Sequence, residues 1–445
     1  MTSHVPDWME SWKKERTVLG AIILFASMSF ILITIETFPS IMSSSEASHS
    51  LYNIGRFMGL VGFLCLSALI FSGETARFFD RFFGMDRIIK FQRRFSLITG
   101  VIVIFHPIFF IISDTGMASF LIPGYINLTI TLGAVSLYIM LAVLIASHLY
   151  KLISYKAWQV IHIIIYGLFA MSAYHAMGGT AYSTNPSIRI LFWVIITLMG
   201  IGMSYRTARK IKEHINSRYV VESVRDENSN TFSIRASRKD SKKMNFNAGQ
   251  FCFLRIDKNK LHARHPFTIS SSPEDNQLQF TIKKAGRFTR TAYRMRSGEK
   301  INIDGPYGRF YLEDDGRDVV FIAGGVGITP FRSMIKQMSE LGTSRKVRLI
   351  YCCRHKKDIL FKELFDSIDE SWFRRIYVLS RENGKLEDSQ VKGHLNEHIL
   401  RESMRNLKDP MFYICGPESM KGDAVKMLSG QGVQNNSIKI EDFFW

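Results

Sequence analysis

Six runs of apolar residues, each of spanning or nearly spanning length, occupy the first half of the chain. They lie at about 17–37, 54–72, 95–113, 128–148, 158–177 and 188–205. The first run is not a cleavable signal peptide, because it is too long and no small-residue cleavage site follows it. The pattern predicts a six-helix transmembrane bundle over residues 17–206, preceded by a short segment, 1–16.

The second half of the chain is polar and changes periodicity twice. Short alternating strands separated by turns are predicted at Tyr219–Val224, Thr231–Ala236, Gln250–Ile256, Leu278–Lys283 and Lys300–Ile303. This pattern is typical of a small antiparallel β-barrel, which we assign to residues 213–312. Over residues 313–445 strands alternate with helices, which predicts an α/β Rossmann-like domain with a parallel sheet. The fold class is therefore multidomain.

Charge gives the bundle an orientation. Lysine and arginine precede the first apolar run and follow the second, fourth and sixth, whereas segments 38–50 and 114–126 contain neither. By the positive-inside rule, the N-terminus and everything after residue 206 are cytoplasmic. The 445 residues include 57 Lys and Arg against 39 Asp and Glu. The basic residues form no motif in which they alternate with aromatic residues, and they lie largely in the loops that the positive-inside rule assigns to the cytoplasm. We therefore exclude nucleic acid as a partner.

The cysteines are few and isolated. None of the five, Cys65, Cys252, Cys352, Cys353 and Cys415, belongs to a CxxC motif or ligand-like cluster. This argues against zinc, a plant-type iron–sulfur module and a disulfide framework.

Histidines inside apolar runs point to chemistry, because ionisable groups are costly in hydrocarbon. His106 lies in the third run, and His162 and His175 lie in the fifth. No acidic relay or cysteine accompanies them, so bis-imidazole haem iron fits better than zinc. A hydrogen bond to a neighbouring helix is the alternative for each. His148 ends the fourth run and Arg56 opens the second.

A glycine-rich turn follows the first strand of the α/β domain. The sequence runs from the strand Asp318–Ala323 into Gly324-Gly325-Val326-Gly327-Ile328-Thr329-Pro330 and then a helix. Glycines allow backbone N–H groups to approach a pyrophosphate, although a plain tight turn would look the same. Arg354 and Arg381, near the ends of the next two strands, are candidates for a 2′-phosphate or are simply solvated.

These motifs resemble those of a known superfamily. Arg264–Ser271, Ile282–Thr289 and Gly305–Gly308 resemble the flavin-domain motifs of ferredoxin–NADP reductases. Gly324–Pro330 and Cys415-Gly416-Pro417 resemble their nicotinamide-domain motifs. With six spans in front, the chain resembles the ferric reductase and NADPH oxidase flavocytochromes from about residue 50 to its end.

The resemblance implies FAD, a nicotinamide dinucleotide and haem b as cofactors. The residues implied for FAD are Arg264, His265, Pro266, Phe267, Thr268, Ser270, Lys283, Gly286 and Thr289. Those implied for NAD(P)H are Gly324, Gly325, Gly327, Thr329, Pro330, Arg354, Arg381, Cys415, Gly416 and Pro417. Thr268 would donate a hydrogen bond near flavin N5, and Cys415 would help place the nicotinamide. Phe443, or else Trp445, would cover the flavin until the nicotinamide displaces it. The two arginines favour NADPH over NADH.

The same resemblance assigns the haem ligands. His106 and His175 form a complete outer pair, whereas the inner position opposite His162 holds Gln92 instead of histidine. We hypothesise an inner haem on His162 whose second ligand is His148, Gln92 or vacant. Arg56 would meet a haem propionate or the acceptor, or reach the interface. Phe110 stands where superoxide-forming relatives often carry a further histidine, which weakens the oxygen-reducing interpretation.

The resemblance implies a transmembrane NAD(P)H oxidoreductase whose acceptor at the outer face is molecular oxygen or ferric iron. Two alternatives remain: an electron-donating membrane component for an outer-face partner protein, as in methionine sulfoxide repair, and a diaphorase on a haem-free anchor. Membrane lipid is an expected neighbour, and the sequence identifies no protein partner.

Overall fold

The computed structural model describes residues 7–43, 46–124, 127–148, 155–216, 218–240, 242–256 and 264–441. The chain forms two compact units, Ser11–Lys212 and one built on Glu213–Trp445. Phe443 and Trp445, both predicted flavin covers, lie outside the described residues. The side chains of His148 and His162 lie outside them as well.

The first unit is helical. In chain order its helices are α1 (Asp7–Met42), α2 (Ala47–Glu74), α3 (Ala76–Phe83), α4 (Met85–Ser113), α5 (Leu128–His148), α6 (Tyr155–Met177), α7 (Thr180–Thr184) and α8 (Pro186–Asn216). Within the described residues, α1, α2, α4, α5 and α8 are long and apolar enough to cross a membrane. The described apolar part of α6, Ile163–Met177, is shorter. The structure thus confirms five of the predicted spans by length and composition, and it places a helix at the fifth apolar run, 158–177.

Two helix pairs dominate the packing of this unit: α2 lies along α4, and α5 lies along α6. Aromatic rings fill the space between α2 and α8, where Phe63 and Phe192 stack with ring centroids 4.6 Å apart. Large apolar side chains such as Leu97 and Ile190 remain exposed, as expected of helix faces that meet hydrocarbon.

A buried carboxylate links three helices at one end of the bundle. Glu74, at the end of α2, has a side chain only 4% exposed. Its Oε1 accepts hydrogen bonds from the Tyr166 hydroxyl at 2.6 Å and from Arg206 Nη1 at 2.5 Å. Because a buried charge is costly without a partner, Arg206 stabilises the carboxylate that joins α2, α6 and α8.

Replacing Arg206 with leucine is expected to destabilise the helical unit by about 3 kcal/mol, because Glu74 would keep a buried and uncompensated charge. The measurement is thermal or denaturant unfolding of the detergent-solubilised protein. Arg87→Leu is the control, because Arg87 is 70% exposed and lies 3.6 Å from Glu15. Such a surface pair contributes about 1 kcal/mol or less. Equal losses in the two variants would contradict the assigned role of Arg206.

The second unit begins with an antiparallel sheet. Its elements are β1 (Arg218–Asn228), β2 (Thr231–Arg238), β3 (Phe251–Ile256), β4 (His265–Thr268), β5 (Leu278–Lys283), α9 (Arg287–Tyr293) and β6 (Lys300–Tyr307). The strand order is β4-β3-β6-β1-β2-β5. An isolated bridge between Ile269 and Phe280 joins the chain just after β4 to β5. The antiparallel sheet is confirmed, whereas its closure into a barrel rests on this bridge and stays a prediction.

A parallel sheet follows. Its elements are β7 (Val319–Gly324), α10 (Thr329–Leu341), β8 (Val347–Cys353), α11 (Lys362–Asp366), β9 (Phe373–Leu379), β10 (Gln390–Lys392), α12 (Glu397–Met404), β11 (Met411–Cys415), α13 (Glu418–Gly430) and β12 (Ile438–Glu441). The order β10-β9-β8-β7-β11-β12 places β7 between β8 and β11, with every pairing parallel. All six residues of β7 are buried, as expected when helices cover both faces of a sheet.

Helix α10 also holds the two sheets together. Arg332 donates a hydrogen bond to the Ser270 carbonyl, and the Ser333 hydroxyl donates to the Ser271 carbonyl at 2.5 Å. Arg332 and Ser333 are both buried, which fixes the start of α10 against the antiparallel sheet.

Candidate functional site

His106 on α4 and His175 on α6 face each other inside the helical unit. Their ring centroids lie 6.1 Å apart, with 75° between the ring planes. A metal–imidazole nitrogen bond is about 2 Å long, so two imidazoles on opposite sides of one metal have ring centres about 6 Å apart. The two ring centroids are therefore separated by about the distance expected of two imidazoles on one metal ion.

Backbone carbonyls fix the tautomer of both rings. His106 Nδ1 lies 2.7 Å from the Gly55 carbonyl oxygen, and His175 Nδ1 lies 2.9 Å from that of Thr129. A carbonyl can only accept, so Nδ1 carries the proton in each ring. Each Nε2 then keeps the lone pair that binds a metal.

The donor set fits haem rather than a protein-ligated metal. Within the described residues, no group of three or more His, Cys, Asp or Glu side chains is placed to bind an ion. Two imidazoles without further protein ligands fit an iron whose other ligands come from a porphyrin. His106 and His175 would hold this haem.

Arg56 follows Gly55, whose carbonyl oxygen accepts the hydrogen bond from the Nδ1–H of His106. Its Nη1 donates a hydrogen bond to Asn53 Oδ1 at 3.1 Å. Its Nε is buried and has no hydrogen-bond partner among the described residues. Arg56 is half-buried, and a buried donor without a partner favours an anionic group nearby; the contact with a haem propionate stays a prediction.

Phe110 occupies the turn after His106. Its ring meets the His106 ring at 4.8 Å in an edge-to-face arrangement and the Tyr52 ring at 5.0 Å. This side of the histidine pair is therefore lined by aromatic rings.

At the inner level, Gln92 is hydrogen-bonded within the protein. Its Nε2 donates to Ser72 Oγ on α2 at 3.1 Å. The side chain of His162, its expected counterpart, lies outside the described residues, so the inner pair stays a prediction.

The predicted flavin residues lie on and beside β4. Arg264 Nη1 forms an ion pair with Asp304 Oδ2 at 3.0 Å, which anchors the start of the strand. The His265 ring packs on Phe288 with centroids 4.2 Å apart, and Phe267 stacks on the same ring at 5.8 Å. Burial lowers the pKa of His265, so its ring is neutral near pH 7. Sequence reasoning missed Phe288, although its place between Arg287 and Thr289 in the quoted motif was a signal.

Two other predicted flavin residues have structural contacts. Thr289 Oγ1 accepts the Ala285 N–H at 2.8 Å and so holds the turn at Gly286, where φ is +94°. The Ser270 hydroxyl is fully buried and donates to the Gln279 carbonyl at 3.0 Å. Thr268 is also buried, whereas Lys283 is exposed.

The glycine-rich turn packs directly on the Cys415–Pro417 segment. A Cβ at Gly324 would lie 2.7 Å from Pro417 Cδ. A Cβ at Gly327 would lie 2.4 Å from the Cys415 carbonyl oxygen. Cys415 pairs with Ala323 in the parallel sheet, so both segments leave the same sheet edge. The structure thus joins two motifs about 90 residues apart in sequence.

The start of α10 completes this edge. Pro330 occupies the first turn of the helix, and Thr329 Oγ1 donates to the Val326 carbonyl at 3.0 Å. Gly325 adopts φ +54°, a conformation that favours glycine.

Arg354 and Arg381 lie side by side beyond the carboxyl ends of β8 and β9. The Arg381 N–H donates to the Arg354 carbonyl at 2.9 Å. Both side chains are exposed, and within the described chain neither guanidinium makes a hydrogen bond or ion pair. The pair is therefore available to an anion.

Three protein families match the chain in succession. The family described as ferric reductase like transmembrane component matches residues 58–173. A family of FAD-binding domains matches residues 217–310, and the family of oxidoreductase NAD-binding domains matches residues 321–426.

The curated relatives match part of the chain. A protein of Idiomarina loihiensis, the Na(+)-translocating NADH-quinone reductase F subunit, is 30% identical over 180 residues, covering 39% of this chain and 43% of that protein. Its counterpart in Neisseria meningitidis serogroup C is 29% identical over 164 residues, covering 36% and 40%. The chain thus spans less than half the length of these relatives.

Solved structures resemble about half of the chain. A ferredoxin NADP+ reductase from Neisseria gonorrhoeae with bound FAD and NADP is 23% identical with a TM-score of 0.45, covering 50% of this chain and 97% of that one. A ferredoxin reductase in carbazole 1,9a-dioxygenase gives 23% identity and the same TM-score, covering 52% and 69%.

Proposed function

Because the chain has the domain architecture of the ferric reductase and NADPH oxidase flavocytochromes, we propose that it carries electrons across a membrane. The donor is cytoplasmic NAD(P)H, the carriers are FAD and haem b, and the acceptor at the outer face is molecular oxygen or ferric iron. The N-terminus and the flavin–nicotinamide unit face the cytoplasm. FAD supplies the change from hydride to single-electron chemistry, and haem iron supplies single-electron transfer inside the bundle.

The observation that carries this proposal is the His106–His175 pair, with ring centroids 6.1 Å apart, in a chain that also has FAD- and NAD-binding domains. The pair accounts for histidines within apolar helices that otherwise have no evident role. It also argues against a diaphorase on a haem-free anchor, since histidines with a purely structural role need not face each other at this distance.

On the nicotinamide side, the residues of the chain bind and orient. Gly324 and Gly327 let the glycine-rich turn approach the Cys415–Pro417 segment, where the nicotinamide would lie. Thr268 lies at the end of β4, where its hydroxyl would donate near flavin N5. Phe443 would cover the flavin in the absence of nicotinamide.

A second candidate is an electron-donating membrane component for an outer-face partner, such as a methionine sulfoxide reductase. Its relatives are usually short and lack fused flavin and nicotinamide modules, which this chain has. The similar NADH-quinone reductase proteins are named for NADH, so NADH is tested as a donor beside NADPH.

The experiment that tests the proposal is acceptor-resolved NAD(P)H oxidation by purified protein with added FAD, recorded with the haem spectrum. Cytochrome c reduction that is sensitive to superoxide dismutase and coupled to haem turnover would identify an oxidase. Ferric-chelate reduction that persists without oxygen would identify a ferric reductase. Flavin turnover without any haem signal would refute the proposal.

An inner haem on His162 is part of the proposal. The inner and outer positions on α4 are fourteen residues apart, about 20 Å along a helix, a gap that needs an intermediate carrier. His162→Ala is expected to lower the haem-to-flavin ratio by about half, because one of two irons loses its ligand. Pyridine haemochrome and flavin assays measure this ratio, and an unchanged ratio would refute the inner haem. His148→Ala and Gln92→Ala identify the second ligand.

We expect NADPH to be preferred over NADH because Arg354 and Arg381 are exposed and unengaged. Arg354→Ala or Arg381→Ala should raise the KM for NADPH about 10-fold or more, because a charged hydrogen bond contributes about 1.5–3 kcal/mol. The KM for NADH should stay unchanged. Steady-state assays of the flavin unit with ferricyanide measure both constants. Arg401→Ala, an exposed arginine on α12, is the control, and equal effects on NADPH and NADH would contradict the assignment.

A further inference from the structure

Each outer histidine ring lies against a glycine on the neighbouring helix. A Cβ at Gly59 on α2 would lie 2.6 Å from both Nδ1 and Cε1 of His106. A Cβ at Gly133 on α5 would lie 2.4 Å from Nδ1 and 2.6 Å from Cε1 of His175. These distances are far below van der Waals contact, so no other residue fits beneath either ring in its present position.

The glycines and the carbonyl acceptors share one spacing. The carbonyl that accepts the His106 proton belongs to Gly55, four residues before Gly59. The carbonyl that accepts the His175 proton belongs to Thr129, four residues before Gly133. In an α-helix the carbonyl of residue i points towards residue i+4, and the two residues lie on one face. An imidazole on a neighbouring helix that donates to the carbonyl of residue i must therefore lie over the backbone of residue i+4.

A related but looser arrangement lies fourteen residues further along the same helix pair. Gln92 Nε2 donates to Ser72 Oγ at 3.1 Å, and Ser72 Oγ donates to the Leu69 carbonyl at 2.7 Å. Gly73, four residues after Leu69, faces the amide, and a Cβ there would lie at an ordinary 3.5 Å from Nε2. The glycine thus lies in close contact with the side chain of the neighbouring helix where that side chain is histidine, and not where it is glutamine.

We propose that Gly59 and Gly133 are positioning residues for the two haem ligands. Each glycine lets an imidazole lie close enough to the helix for its Nδ1–H to reach the carbonyl of residue i. The hydrogen bond fixes the proton on Nδ1 and the rotation of the ring, so that both Nε2 atoms are available to the same iron. This inference rests on the proposed haem at His106 and His175 and adds two residues that the ligand pattern alone does not identify.

The test compares Gly59→Ala and Gly133→Ala with two controls that crowd helices without touching a histidine. A Cβ at Gly62, also on α2, would lie 3.0 Å from Val103 Cγ2, and one at Gly100 on α4 would lie 2.5 Å from Leu144 Cδ1. Both controls press on the far ends of side chains. They report what crowding of the bundle does by itself.

Haem binding is measured in the full-length, detergent-solubilised protein by titration with hemin, together with the low-spin spectrum and carbon monoxide binding. Gly59→Ala and Gly133→Ala are expected to bind the outer haem about 10-fold or more weakly, as when a ligand loses its supporting hydrogen bond. The remaining haem should bind carbon monoxide because one ligand is displaced. Gly62→Ala and Gly100→Ala should match the parent protein. NAD(P)H-driven ferricyanide reduction verifies in each variant that the flavin unit is folded.

Two outcomes would overturn the inference. Native haem affinity, spectrum and carbon monoxide response in both Gly59→Ala and Gly133→Ala would show that the glycines do not position the ligands. Equal losses in the crowding controls would show that helix spacing, not the histidine contact, is responsible. The His175→Ala variant separates this inference from the proposed function. If the variant keeps its outer haem, the proposed function fails. If the variant loses its outer haem, only the role of the glycines is in question.

Discussion

Replacing His175 with alanine is expected to remove the outer haem and to abolish electron transfer to acceptors at the outer face. His175 would supply one of the two imidazoles that hold the proposed haem; its ring lies 6.1 Å from that of His106, and the described residues contain no group of three or more His, Cys, Asp or Glu placed to bind an ion. Without His175, only one of these two imidazoles would remain to hold the haem. Flavin reduction by NAD(P)H should continue at the parental rate, because it takes place in the other unit.

The measurement combines a reduced-minus-oxidised haem spectrum with two activities of the same preparation, reduction of outer acceptors and reduction of ferricyanide by the flavin. His106→Ala should give the same result, and the double variant should be no worse than either single variant, since the two residues act as one unit. His49→Ala is the control, because His49 is exposed in the same unit and lies outside the pair. An outer haem that persists in His175→Ala would exclude the pair as its ligands.

The local patterns of the sequence predicted most of the secondary structure. Apolar run length predicted the spans, and strand–helix alternation predicted the order of β7, α10, β8 and β11, because both signals depend on neighbouring residues only. The short strands β4, β10 and β12 were missed. Strands of three or four residues carry too few alternating positions to stand out from loops, and their pairing depends on partners far along the chain.

The site was predictable in composition but not in geometry. His106 and His175 were identified from the sequence as a pair, yet their facing rings and the carbonyls of Gly55 and Thr129 are set by helix packing. Intramembrane glycines were visible in the sequence, but nothing local distinguishes Gly59 from Gly20, beside which no atom lies within 4 Å of a Cβ. The contact of Arg332 with Ser270 likewise joins residues of different domains.

Gly327→Ala is expected to slow hydride transfer from NAD(P)H to the flavin about 100-fold, the cost of misplacing reacting groups by about 1 Å. A Cβ at this position would lie 2.4 Å from the Cys415 carbonyl oxygen, 2.7 Å from its carbon and 2.9 Å from the Gly416 nitrogen. These are backbone atoms at the carboxyl end of the buried strand β11, so they cannot move aside by rotation of a side chain. The glycine-rich turn and the Cys415–Pro417 segment must therefore separate, and both are predicted to hold the nicotinamide.

Anaerobic stopped-flow measurement of flavin reduction separates the rate of hydride transfer from the affinity for NAD(P)H in this variant. Gly422→Ala is the matched control, because Gly422 lies in α13 of the same domain with nothing within 4 Å of a Cβ, and alanine favours a helix. FAD content and haem content should stay at the parental level in both variants, since neither residue is one of the predicted flavin or haem ligands. A flavin reduction rate within about twofold of the parent in Gly327→Ala would mean that the turn can move without cost, and that hydride transfer does not depend on this contact.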